Sequence, residues 1–179
     1  MRRWYVDEFY IRGMRGLPIM PEQLLRNTRD SLYEIYNNVL EHSESQYGLF
    51  TCGQYFPAKE RLKFTITDLG IGFQECVNKN LKLEVDMSSE QAIIWATDGN
   101  TVKEGAGGLG LKHIITFLKS NKGDLHIVSY DTYAIVISGK LTCRKLPKRF
   151  PGTSITVEIR TDDNNEDNYG IDPKQKINF

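Results

Sequence analysis

Between Glu22 and about Glu41, apolar side chains recur at Leu25, Leu32, Ile35 and Val39, with Thr28 in the same phase. That spacing predicts a long helix with one buried side, and Pro21 suits its first turn. The period then changes to two. QYGLFTCGQYF and ERLKFTITDL are rich in aromatic and β-branched residues and are joined by PAK, the pattern of two strands in a hairpin or meander, with Gly70 and Gly72 closing the second. From Phe73 to Glu104 the pattern weakens into a long, partly irregular insertion. The exception is SSEQAIIWAT, where Ser88 and Gln91 have the spacing of a capping box ahead of a short helix. GAGGLGLKHIITFLKSNKG runs from glycines into Leu111, Ile114, Ile115 and Leu118, a glycine loop feeding a helix that Gly123 is placed to cap. DLHIVSY, YAIVISGKL and TSITVEIRT predict three more strands, and TDDNNEDNYGIDPKQ closes as a flexible polar tail.

This order predicts an α/β fold, a two-layer α/β sandwich whose helices cover one face of a mixed, mostly antiparallel sheet. The expected organisation is an N-terminal extension over 1–20, one domain over 21–161 with its insertion at about 74–104, and the tail over 162–179. Composition agrees with a single domain: 179 residues, 40% hydrophobic and 26% charged, are ordinary for a globular protein. Lys plus Arg and Asp plus Glu both number 23, so no net charge draws the chain to nucleic acid, and no nucleic-acid partner is expected. Cys52, Cys76 and Cys143 are scattered and form no CxxC pair, which argues against a disulfide framework or zinc site. With no secretory signal and no membrane span in the sequence, the expected setting is cytoplasmic, either as a free protein or as the catalytic part of a longer one.

Three places carry chemistry. Glu34, Asn38 and His42, four apart, form a narrow polar ridge along the edge of the first helix's apolar face, either a solvated flank or one side of a site. In LKFTITDLG the strand parity that turns Leu62, Phe64 and Ile66 inward also turns Asp68 inward, and in GTSITVEI it does the same for Thr153. Both can line one pocket. Each also has a plainer reading, a strand-end Asp bonding the Gly70 and Gly72 amides and a Thr satisfied by backbone. The glycines around Gly105, Gly107, Gly108 and Gly110 gather backbone N–H groups at a helix N-terminus, suited either to phosphate oxygens or to a hinge. No GK[ST] follows them, and no strand leads into a GxGxxG.

In chain order EIYNNVLEH, DLGIG, GGLGL and GT resemble the N box, G1 box, G2 box and terminal Thr of the GHKL superfamily, which includes DNA gyrase B, a heat-shock chaperone, histidine kinases and MutL. The resemblance spans about residues 21–161 and implies the Bergerat ATP-binding fold, with ATP and Mg²⁺ as cofactors. It implies Asn38 as the Mg²⁺ ligand, Glu34 as general base, and Asp68 as acceptor of the adenine amino hydrogen. Thr153 would help read the adenine edge directly or through water, while Gly70 and Gly72 would admit the backbone close to the base. Gly105, Gly107, Gly108, Leu109 and Gly110 would cradle the phosphates, and Lys103, in an ATP lid over 74–104, would reach the terminal phosphate or stand as a solvated lysine. His42 falls where many histidine kinases carry an N-box histidine. Two departures stand out: Ala106 replaces the first glycine of GxGLGL, and Leu69 stands where Asn is frequent.

A histidine autokinase places a phosphoacceptor histidine on a helical hairpin ahead of the ATP domain, whereas His42, His113 and His126 all lie inside it. The expectation is therefore an ATPase or protein kinase module acting on a separate protein partner, similar in architecture to anti-sigma-factor serine kinases. The alternative is a nucleotide-gated binding module with little or no turnover.

Overall fold

The computed structural model describes residues 21–102 and 110–162. The expected extension over 1–20 and the tail beyond Asp162 lie outside the described residues. The elements are α1 (Glu22–His42), β1 (Leu49–Phe56), β2 (Arg61–Asp68), α2 (Gly72–Leu81), α3 (Ser89–Thr97), α4 (Gly110–Asn121), β3 (Asp124–Ile137) and β4 (Lys140–Arg160). They form an α/β fold with a four-stranded sheet in the order β1-β2-β4-β3, and every described pairing is antiparallel, the limiting case of the mostly antiparallel sheet expected.

The helix stripe of α1 buries Leu24, Thr28, Leu32, Ile35 and Val39, so Leu24 takes the core place expected of Leu25, which packs at its margin. Against it lie Leu62, Phe64 and Ile66 of β2 with Ile155, Val157 and Ile159 of β4, all essentially buried. Strict alternation along β2 assigns these positions to one face and Lys63, Thr65 and Thr67 to the other.

The insertion is more regular than its sequence suggests. GFQECVNKNL is helix α2, and Val77 together with Ala92, Ile93 and Ala96 of α3 is buried. The capping box ahead of α3 is present as read: Ser88 Oγ accepts from the Gln91 amide at 3.2 Å, and Gln91 Oε1 accepts from the Ser88 amide at 2.8 Å. At the far end of α4 the left-handed residue is Lys122 (φ 55°), and the Gly123 amide donates back to the Leu118 carbonyl at 2.9 Å.

The three strands expected after α4 are two. β3 and β4 form one long hairpin that bends where Tyr130 pairs with Phe150 and Thr132 with Lys145, so that residues 146–149 oppose Asp131 alone. The bend takes Tyr130 to a left-handed φ of 54° and switches the buried phase from Leu125, Ile127 and Ser129 to Thr132, Ala134 and Val136. The outer half returns alongside the inner: Tyr133 Oη is 2.7 Å from His126 Nδ1, and Gly139 lies against the Lys119 side chain. Among the described residues no helix is long and apolar enough to cross a membrane.

Candidate functional site

Asp68 is the last residue of β2 and is only 1% exposed. Its register partner is Thr153, also buried, so the two polar groups singled out by parity stand directly opposite one another on β2 and β4. Asp68 Oδ1 accepts from the Gly70 amide at 2.8 Å. Burial pushes the Asp68 carboxyl above its ordinary range, and backbone donors at Gly70 and Thr153 offset that only in part. A carboxylate in this position is poorly solvated and has capacity for another donor.

The turn after Asp68 is fixed from two sides. The Ile71 amide donates to the carbonyl of Ser43, the C-cap of α1, at 2.8 Å, and a side chain at Gly70 would collide with that carbonyl. Gly152 crosses over the backbone of Asp68 and Leu69 with φ of 90°, where a Cβ would meet the Asp68 carbonyl. The plainer reading of Asp68 as a turn residue is thus correct for Gly70 and does not exclude the pocket reading.

Helix α1, the end of β2, the facing stretch of β4, the insertion and the start of α4 meet at one open cavity. Glu34, Asn38 and His42 of α1 line one wall, and Asp68, Gly72 and Thr153 the wall formed by the sheet. Phe73, Cys76 and Val77 of α2 with Trp95 of α3 supply an apolar side, and Gly110 and Leu111 bring in the start of α4. The polar ridge of α1 therefore faces a cavity rather than bulk water alone. Glu34 presses against Gly110, where a Cβ would collide with its carboxylate, so an acidic side chain sits at the first described turn of α4. Gly70 lies outside the lining and acts through its bond to Asp68. Lys103, Gly105, Ala106, Gly107, Gly108 and Leu109 lie outside the described residues.

Ser129 is absent from the expected set and is fully buried, at 0% exposure. Its Oγ accepts from the Phe73 amide at 3.1 Å and lies 3.2 Å from Thr153 Oγ1 and 3.3 Å from the Gly152 carbonyl. Its own carbonyl accepts from Ser89 Oγ at 2.9 Å. A Cβ on Gly72 (φ 71°) would come within 2.7 Å of Ser129 Oγ, so Gly72 gives the hydroxyl its room. The sequence signal was available: Ser129 ends the inward phase of Leu125 and Ile127 as Asp68 ends that of Leu62, Phe64 and Ile66. Burial likewise pushes the Cys76 thiol above its ordinary value, helped by Glu44, and this keeps the cavity's sulfur neutral.

Neither the protein-family models nor the curated proteins give a match to this chain.

Proposed function

We propose that the cavity binds ATP with Mg²⁺ as the GHKL resemblance implies, the adenine against Asp68 and Thr153 and the phosphates toward Asn38 and the start of α4. The observation that carries this reading is the register of Asp68 with Thr153 on a wall that faces Glu34 and Asn38 across one cavity. A 6-amino group is a donor and calls for an acceptor such as a carboxylate, while the apolar side beside Phe73 and Trp95 suits the faces of a base.

The donor set also fits magnesium. That ion takes few protein oxygens and completes its shell with phosphate and water. Asn38, which lines the cavity, can supply one amide oxygen. Bound there, the ion would neutralise phosphate charge. Glu34, one turn from Asn38, would polarise a water or a hydroxyl of a separate protein partner toward the terminal phosphate. This makes the protein an ATPase or protein kinase module in a cytoplasmic setting. The contact of Glu34 with Gly110 favours a second reading, in which the carboxylate holds the start of α4 and ATP acts as a switch without turnover.

Calorimetric titration tests the assignment. Folded wild-type protein should bind ATP more tightly with Mg²⁺ than with a chelator, and Asn38→Ala should keep its fold but lose that difference. Equal magnesium dependence in both proteins removes Asn38 from its role, and failure of the wild type to bind ATP removes the reading as a whole.

A further inference from the structure

β4 is paired on both sides only along its inner half. Residues 153–158 lie between β2 and β3, whereas residues 140–145 pair with β3 alone, and among the described residues no strand pairs with their other side. Such an edge leaves the N–H and C=O groups of alternate residues pointing outward, ready to pair with another extended chain. The charge along it is one-sided. KLTCRKLPKR, residues 140–149, carries Lys140, Arg144, Lys145, Lys148 and Arg149, all exposed, and no carboxylate. Two of these cations are braced by aromatic rings. The Arg144 guanidinium lies 4.4 Å from the ring centroid of Tyr133, its register partner on β3, and Arg149 lies 4.4 Å from that of Tyr130. Lys145 has Asp131 at 3.5 Å, while among the described residues Lys140, Arg144, Lys148 and Arg149 have no acidic partner.

The other outer strand, LFTCGQYF of β1, carries no charge, so cations are not the general guard of this sheet's edges. At β4 they repel a second copy of the same edge and select the opposite charge. With 23 cations balanced by 23 anions over the whole chain, the patch is a local one, suited to a short acidic segment rather than to a long polyanion. Strand alternation places Lys140, Thr142 and Arg144 on one face. We propose that residues 140–145 are a docking edge for an extended acidic segment of a partner protein, which adds as a further strand and sets carboxylates at alternate positions beside Lys140 and Arg144. Its backbone continues the ladder, and a carboxylate matches the planar fork of Arg144, which Tyr133 already holds in place. The edge lies outside the lining of the cavity, so its use does not depend on nucleotide.

The probe is a blocked, fluorescein-labelled peptide that alternates glutamate with threonine and is long enough to cover residues 140–145, titrated with the full chain by anisotropy. Wild type should bind it, several-fold more weakly when salt is raised from about 0.05 to about 0.2 M, and binding should slow hydrogen exchange at the amides of residues 140–145. Lys140→Glu with Arg144→Glu should weaken the peptide by roughly tenfold or more, since attraction becomes repulsion at both positions. Both side chains are exposed, and a urea melt checks the fold; Arg144→Gln carries the same comparison if the double variant does not fold. A peptide of equal charge with proline in place of threonine cannot complete the ladder and should bind at least several-fold more weakly. Equal binding of the two peptides, or no protection at residues 140–145, overturns strand addition. Tighter binding of a single-stranded oligothymidylate of similar charge makes the patch a nucleic-acid surface and overturns the peptide. A wild-type dimer in sedimentation that Arg144→Glu dissociates makes the occupant a second copy, and no binding of the acidic peptide removes the inference outright.

Discussion

The same three strands carry polar pairs on both faces of the sheet, and the two faces treat them differently. On the face covered by helices, Asp68, Thr153 and Ser129 are nearly or wholly buried, and Asp68 and Thr153 line the cavity. On the opposite face, Thr65 meets Thr156 at 2.7 Å, Thr67 meets Ser154 at 2.8 Å, and His126 meets Tyr133 at 2.7 Å, all only partly buried. There Lys63 also lies 2.7 Å from Glu158. Burial would raise the Glu158 carboxyl, but Lys63, Arg61 and His126 together hold it below its ordinary range. Cross-strand pairs beside water close among themselves and stabilise the sheet. Buried ones are costly unless satisfied, and those at a cavity wall keep capacity for a ligand. Chemistry of the residue alone does not separate a structural threonine from a site threonine; its face does.

The largest contrast should come in turnover. If Glu34 is the base, Glu34→Ala should keep MgATP affinity within a few fold while reducing single-turnover phosphate release by roughly 10²-fold or more. Background release already in the wild type would decide for the switch. Asp68→Asn should come next, weakening ATP by roughly 10- to 100-fold in calorimetry, because an amide donor now faces the base amino group. Retained affinity would erase the distinction between the faces at its most buried residue.

The pH dependence of stability should have opposite slopes for the two faces. The Asp68 carboxyl has a raised folded pKa, so its contribution is greatest below the unfolded value of about 4 and declines as pH rises through the folded one. His126 is pushed down, by burial first and then by Lys63, against the opposing pull of Asp124 and Glu158. Its contribution is present above about 6.5 and is lost as pH falls through the lowered folded value. Urea melts across this range should lose the first slope in Asp68→Asn and the second in His126→Gln, each variant leaving the other slope in place. The smallest effect belongs to the Thr65→Val and Thr156→Val pair, expected to cost about 1 kcal/mol of stability with ATP affinity unchanged. A tenfold loss of affinity there would show that the faces are coupled.

Where one periodicity ran unbroken, the sequence was readable. α1, β2 and the inward parity of Asp68 and Thr153 follow from spacing, and the capping box at Ser88 follows from two side chains. α2 was not legible because GFQECVNKNL buries only Gly72, Cys76 and Val77, too short a stripe to set a period. The fused hairpin escaped because its bend switches the buried phase, which reads in sequence as the end of one strand and the start of another. Ser129 sits at that switch. A polar residue ends an inward phase at Ser129 as it does at Asp68, and the same physical argument applies to both.

The pairing of β2 with β4 has a consequence for how the chain reaches this state. Its side-chain bonds span 87 and 91 residues of sequence, whereas β3 and β4 are joined by a tight turn at Ser138 and Gly139. Closing so long a loop costs entropy before any contact offsets it, so the hairpin can form early while the union of β2 with β4 comes late. Asp68 and Thr153 are brought opposite each other only at that step. On refolding, strand signal should therefore precede assembly of the cavity wall, which is among the last parts of the molecule to exist.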